Sequence, residues 1–202
     1  RAGVGGENAA ERIARDHSGS VTEDGNANSR RSPQQIAQLA SGMETVATST
    51  GSKVPLLSGV GQEGGNVTRI GAPRAISPSN MALGAGFNPA TAYSMSRATG
   101  QQLKALGINV DDAPVVDTNT NPNNAADGAR AFGDVGVQTA AFGAASVLGY
   151  ESSGVAATAK HFPGLGSTST NTDLGVAETD QTREDFERND LPAFRAAVAA
   201  GS

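Results

Sequence analysis

Gly107-Ile108-Asn109-Val110-Asp111-Asp112-Ala113-Pro114-Val115-Val116-Asp117 is the stretch that decides the fold. It is a strand-length run rich in β-branched residues, opened by a glycine that ends one helical pattern and closed by an acid that begins a polar loop. Upstream, Asn88-Pro89 opens a helix with Ala92, Met95, Leu103 and Leu106 on its apolar face, and Gly107 is its stop. Downstream, Asp134 reads as the N-cap of a further helix with Val137, Ala141, Ala144 and Leu148 inward and Gly149 beyond. The same alternation extends in both directions. Ser32-Pro33-Gln34-Gln35 is a capping box with proline at the first helical position; Ile36, Leu39, Met43 and Val46 follow on one face, and Gly51 ends the element. Residues 54–60 and 155–162 are two more apolar runs of strand length. Pro192 restarts the last helix with Asp190 as cap, Phe194, Ala197 and Val198 on its face, and Gly201 as the close. Gly3-Val4-Gly5-Gly6 reads as the tail of an earlier strand, and residues 7–32 carry no usable period.

Strand followed by helix, repeated, defines an α/β chain with a parallel sheet and right-handed crossovers. A doubly wound open sheet and a partial (β/α)8 TIM-type barrel both satisfy that pattern. A complete barrel takes about 250 residues, and this chain of 202 residues shows three strands and the trace of a fourth. No internal repeat or clean linker divides it, so residues 1–202 read as one domain. The start at Arg1 without a methionine and the stop just after a helix fit an excerpt of a longer protein.

Composition excludes several classes. No apolar run approaches the roughly 20 residues of a membrane-spanning helix. Fifteen Lys and Arg against 20 Asp and Glu give a net charge of −5 with no basic block, which argues against a nucleic-acid partner. Without cysteine there is neither a disulfide frame nor a thiolate metal site, and the compartment stays open. Aromatic residues make up only 4%, so the core must be built from Val, Ala, Leu and Ile.

In parallel α/β folds, functional groups collect just past the carboxyl ends of the strands. After Val60 comes Gly61-Gln62-Glu63-Gly64-Gly65-Asn66-Val67-Thr68-Arg69; after Val116 come Asp117 and a polar loop to Arg130; after Ala159 come Lys160-His161-Phe162-Pro163-Gly164 and a loop containing Asp173. Gly59-Val60-Gly61-Gln62-Glu63-Gly64 matches G-x-G-x-x-G, but Pro73 and Pro78 follow and no helical period opens on the glycines. A tight turn after a strand is therefore the better reading than a dinucleotide site. Adjacent strand residues point to opposite faces, so Lys160 and His161 serve one pocket only where the strand ends or bulges. Residue types leave that reading level with a solvated lysine beside a core histidine. Arg69 and Arg130 can fork onto ligand oxygens or pair with a carboxylate. Asp117, Glu63 and Asp173 are the carboxylates placed to reach such a pocket, and paired carboxylates are what glycoside chemistry uses. His17 lies in a polar stretch and is assigned to the surface.

Taken together, Gln62-Glu63-Gly64-Gly65-Asn66-Val67-Thr68-Arg69, Ala113-Pro114-Val115-Val116-Asp117, Asn121-Pro122, Arg130-Ala131-Phe132-Gly133 and Lys160-His161-Phe162-Pro163-Gly164, in this order, resemble the N-terminal barrel of family 3 glycoside hydrolases. The branch resembled is that of the bacterial β-N-acetylglucosaminidases, from about Ser32 to Gly201, with residues 1–31 matching poorly. The resemblance favours the partial barrel over the open sheet. It implies a retaining enzyme that cleaves terminal β-linked N-acetylglucosamine or a related sugar of a glycan or peptidoglycan, through a covalent intermediate on an Asp. It implies neither a metal nor an organic cofactor. Arg69, Arg130, Lys160, His161 and Asp117 would bind the sugar, and the remainder of the barrel would be the chain's partner.

Three positions depart from the family pattern. The nucleophilic Asp falls on a later strand, beyond residue 202, so these 202 residues alone should lack the covalent step. The Asp-Ser-His of the acid/base loop reads Asn171-Thr172-Asp173, which leaves Asp173 as acid/base candidate if burial raises its pKa. The Asp before Gln-Glu-Gly-Gly is Gly61. Gly61 and Asn171 give the alternative reading, a non-catalytic carbohydrate-binding relative of the same barrel.

Overall fold

A computed structural model of the chain describes residues 9–23, 32–50, 53–71 and 77–202. Its elements are α1 (Ala9–Asp16), β1 (Ser20–Glu23), α2 (Pro33–Ser49), β2 (Leu57–Val60), α3 (Asn80–Ala85), α4 (Pro89–Ala105), β3 (Val110–Asp111), a 3-10 turn (Gly128–Arg130), α5 (Gly136–Glu151), β4 (Ala156–Ala157), α6 (Arg183–Asn189) and α7 (Leu191–Ala200). The four strands lie in the order β1-β2-β3-β4, all parallel, with Val21 opposite Ser58, Gly59 opposite Val110 and Val110 opposite Ala156. Each strand pairs with its successor and the order never reverses. That separates a partial (β/α)8 barrel from a doubly wound sheet, whose order switches direction. Among the described residues β1 and β4 do not pair, so the sheet is open.

Two helix starts follow from local chemistry. The Ser32 hydroxyl accepts the Gln35 N–H (3.2 Å) and the Gln35 side chain accepts the Ser32 N–H (2.8 Å), the reciprocal capping box expected ahead of Pro33. The Asn88 side chain accepts the Ala90 N–H (3.1 Å) ahead of Pro89. Gly107, at φ +81°, makes the left-handed turn after α4. The expected stop at Gly51 and the strand tail at Gly3 to Gly6 lie outside the described residues.

Four expectations need correction. Residues 7–32 hold a helix and a strand, α1 and β1, too short to show a period; Ile13 of α1 packs on Ala47 and Leu56. Helix α5 starts at Gly136 with Val135 at the cap and no side-chain cap, not at Asp134. Its start is fixed by packing, because a Cβ on Gly136 would lie 2.5 Å from the Asn189 carbonyl oxygen. The inward face of α5 is also not the expected one. Val137 and Leu148 are exposed, whereas Thr139, Phe142, Gly143, Ser146, Val147 and Tyr150 are buried. The inner face is made of small residues because its neighbours come very close: a Cβ on Gly143 would lie 2.7 Å from Val116, and one on Gly149 2.5 Å from the Tyr93 carbonyl oxygen of α4. In α7, Phe194 and Ala197 are buried as expected, but Val198 faces outward. The main core joins Ile36, Val60, Leu103, Ile108, Val147 and Val155, so helices α2, α4 and α5 cover the sheet. Among the described residues no helix is long and apolar enough to cross a membrane.

Candidate active site

The strand ends converge as the fold class requires. Past β2, Gln62 donates its N–H to Asp111 Oδ1 of β3 (2.7 Å), and its side-chain oxygen accepts the N–H groups of Arg69 (3.0 Å) and Ile70 (2.9 Å). One buried glutamine thus closes the loop over residues 62–70. Gly64 and Gly65, at φ +94° and +54°, form its turn, and a Cβ on Gly64 would lie 2.7 Å from the Pro78 carbonyl oxygen. No helix opens on these glycines; the run is a turn that pairs back on Val67.

Glu63, at the foot of this turn, organises the site. It is 6% exposed. Arg130 grips it in a fork, Nε to Oε2 at 2.7 Å and one terminal nitrogen to Oε1 at 2.8 Å, while Lys160 Nζ lies 2.6 Å from Oε1. Burial by itself would raise the Glu63 pKa, but Arg130 and Lys160 hold it below the ordinary carboxylate value. The same fork raises the Arg130 pKa, so both partners stay charged. Arg130 is fixed from behind as well: its NH1 donates to the Ala126 carbonyl (2.9 Å), and its own carbonyl accepts from Asn80 of α3 (2.8 Å).

Lys160 and His161 sit where pairing to β3 ends, with the Val116 N–H on the Lys160 carbonyl at 2.7 Å. The peptide bond between them is cis. Both side chains lie in one cluster, Lys160 on Glu63 and His161 on Asp117 and Arg130. His161 Nδ1 lies 2.6 Å from Asp117 Oδ2, and its Nε2 lies 3.1 Å from an Arg130 terminal nitrogen. Guanidinium can only donate, so Nε2 accepts from Arg130 and Nδ1 donates to Asp117.

Asp117 is fully buried, and its oxygens accept the backbone N–H groups of His161 (3.1 Å) and Leu165 (2.8 Å) besides the imidazole. It orients His161 and the turn that follows, whereas the sequence placed it among the groups touching sugar. Arg69 is half-buried in the same loop as Glu63. Asp173 stands apart, exposed in the loop after His161, with its N–H on Asn171 Oδ1 (2.9 Å). The burial that would make it a proton donor is therefore not provided by this arrangement.

Two acidic groups went unsuspected in the sequence. Asp111 is wholly buried, and burial pushes its carboxyl up to about 8 despite the Gln62 N–H. Asp127, beneath Asp117 and His161, is also pushed up to about 8, by burial first and then by the Asp117 charge. One ligand atom from each of Asp117, Asp127 and His161 falls within 4.8 Å of the others. The Asn-Ala-Ala-Asp-Gly run carries no signal of this, because its meaning depends on Asp117 and His161, which only the fold brings to it.

An open sheet of successive parallel strands with charged side chains gathered past the strand ends is a partial (β/α)8 barrel with a polar site in the usual place for that class. The chain belongs to glycosyl hydrolase family 3: the model of that family's N terminal domain matches residues 5–202. It is 35% identical over 170 residues to the beta-hexosaminidase A of Pseudoalteromonas piscicida, covering 82% of this chain and 28% of that protein. A beta-hexosaminidase of Xylella fastidiosa (strain M23) is 34% identical over 174 residues, covering 83% of this chain and 50% of the relative. The structure of a glycoside hydrolase family 3 beta-N-acetylglucosaminidase from Paenibacillus sp. str. FPU-7 superposes with a TM-score of 0.91 at 37% identity, covering 96% of this chain and 37% of that one. A beta-N-acetylhexosaminidase from Beutenbergia cavernae gives 0.84 at 32% identity, covering 96% and 58%. The chain thus spans half or less of the length of these two curated relatives.

Proposed function

We propose that the protein is a retaining β-N-acetylhexosaminidase that removes terminal β-linked N-acetylglucosamine from a glycan or a peptidoglycan-derived sugar. The observation that carries this reading is the Glu63-Arg130-Lys160-His161 cluster at the strand ends of a family 3 domain. Glu63 pairs with two cations and fixes their direction, so that the remaining N–H donors of Arg130 and Lys160 are preorganised for sugar hydroxyls rather than free to move. The His161 ring is held between Asp117 at Nδ1 and Arg130 at Nε2. Arg69 borders the same loop and joins the sugar-binding set. The covalent step belongs to an Asp outside residues 1–202, with hydrolysis of the glycosyl intermediate by water as the second half. Asp173, in the loop that follows His161, is the acid/base candidate.

A second reading, a carbohydrate-binding relative without turnover, is favoured by Gly61 and the exposed Asp173. Among the described residues a Cβ on Gly61 would have only Lys160 Nζ within 4 Å, at 3.8 Å, which leaves room there for a larger side chain. Incubating the full-length protein with aryl β-N-acetylglucosaminide and following phenol release, alongside calorimetry with N-acetylglucosamine, separates the two. Release selective for the N-acetyl sugar supports the hydrolase; stoichiometric binding without release supports the binding relative.

A further inference from the structure

Behind the face assigned to the sugar lies a carboxylate that the sugar contacts do not use. Asp127 is 2% exposed, and among the described residues its Oδ1 has no hydrogen-bond partner. Folded proteins rarely leave a buried oxygen in that state. The orphan oxygen lies 4.0 Å from His161 Nδ1, and Asp117 Oδ2 lies 2.6 Å from the same nitrogen. Both carboxylates are held from outside. Asn124 Nδ2 lies 3.3 Å from Asp127 Oδ2 and 2.7 Å from the Leu165 carbonyl, while the Leu165 N–H donates to Asp117 Oδ1 at 2.8 Å. Two carboxylates and an imidazole, each fixed by neighbours, are therefore aimed at one point.

We propose that Asp117 Oδ2, Asp127 Oδ1 and His161 Nδ1 bind a divalent transition-metal ion of the zinc class. Mixed imidazole and carboxylate donors suit zinc better than magnesium or calcium, which take oxygen alone. Zinc bonds of about 2.0–2.2 Å place the ligand atoms of a tetrahedral site about 3.3 Å apart. Asp127 Oδ1 reaches that spacing by moving less than about 1 Å, and Asp117 Oδ2, 2.6 Å from Nδ1, by moving out by at least about 0.7 Å once the proton between them has passed to Nε2. Two carboxylates also neutralise the dication, and the Asn124 and Leu165 bonds supply the outer hydrogen bonds that orient metal ligands. The site has a consequence that rests on the hexosaminidase reading. A metal on Nδ1 leaves the imidazole proton on Nε2, which then meets the Arg130 N–H as donor against donor. The ion and the sugar-binding arrangement exclude each other, so the ion is an inhibitor and not a cofactor.

The test is calorimetric titration of zinc chloride into the tag-free, metal-free full-length protein, with nitrogen NMR of its histidines, the His161 signal being assigned through its chain neighbours Lys160 and Phe162. The expected result is one ion per chain, Nδ1 of His161 as the coordinated nitrogen, and binding weakened at least about tenfold in Asp127→Asn, which keeps the side-chain size and its Asn124 contact. Absence of saturable binding, or equal binding by Asp127→Asn, overturns the site and leaves a proton shared between Asp117 and Asp127 as the account of the orphan oxygen. The NMR reading needs no variant, so it stands even where Asp127→Asn folds poorly. Saturating zinc should also abolish hexosaminide hydrolysis in the wild type and spare Asp127→Asn. Zinc bound at His161 without loss of turnover overturns the exclusion. Zinc bound there by a protein that cleaves no hexosaminide supports the ion site and overturns the functional reading instead.

Discussion

Replacing Glu63 by glutamine tests the reasoning about the site most severely, because one carboxylate carries two cations. The Glu63 side chain is 3% exposed, and those of Arg130 and Lys160 are 21% and 20% exposed. Removing one partner of a buried ion pair costs about 3–5 kcal/mol, since the surviving charge is left without compensation. Here both cations keep an edge in solvent, and glutamine still offers one oxygen to the Arg130 fork, so the lower end, about 3 kcal/mol, applies. For a domain of this size that corresponds to a fall in Tm of roughly 6–12 °C. The sugar donors also lose their fixed direction, so KM for an aryl β-N-acetylglucosaminide should rise by about tenfold or more, each tenfold being worth about 1.4 kcal/mol of binding. Differential scanning calorimetry and steady-state kinetics on the full-length protein read both. A Glu63→Gln protein with wild-type Tm and wild-type KM would refute the argument that this carboxylate organises the site.

Other outcomes follow from neighbouring groups. The Asp111 carboxyl is pushed up to about 8 by burial, against an ordinary value of 3.8, so its stabilising contribution is complete below pH 3.8 and is lost as pH rises through 8. Asp111→Asn keeps an oxygen for the Gln62 N–H and cannot ionise; its stability advantage over wild type should grow by about 1.4 kcal/mol per pH unit between pH 5 and 7.5, and melting curves with a constant offset would contradict this. Gly61→Asp places a carboxylate beside Lys160 Nζ in open space, and should lower KM for the N-acetyl sugar; a raised KM would show that position 61 is not a sugar anchor. Asp173→Asn should lower kcat by about 100-fold or more on substrates with poor leaving groups, read by steady-state rates, while unchanged kcat would remove Asp173 as acid/base.

Much of the frame was legible because its signals are local. Ser32 and Asn88 sit next to the prolines and apolar faces they introduce, and Gly107 needs only its own backbone to end α4. Where tertiary contact decides, the sequence misled. Asp134 is as good a cap by type as Asn88, yet α5 begins where Gly136 meets the Asn189 carbonyl. Its Val137 and Leu148 look like core by size, but the close approach of Val116 and Tyr93 leaves room only for Gly143 and Gly149 on the inner face. A pair of glycines six residues apart inside a helix was the available sign of that approach. The site divides in the same way. Lys160-His161 and Arg130 stood out through motif and position. Glu63 as organiser and Asp127 as buried neighbour emerge only when residues 67 and 34 positions apart, respectively, are brought together (Glu63 with Arg130, Asp127 with His161).

The most direct measurement of the central claim is hydrolysis of an aryl β-N-acetylglucosaminide by the full-length protein, wild type beside Lys160→Ala. Lys160 Nζ lies 2.6 Å from Glu63 at the strand-end pocket, so removing it should leave a protein that binds the sugar poorly and turns it over slowly. Measurable wild-type release with kcat/KM reduced by about 100-fold in the variant is the predicted result, equal to about 2.7 kcal/mol of lost transition-state binding. Equal rates and affinities for the two proteins would contradict it and place the sugar site elsewhere.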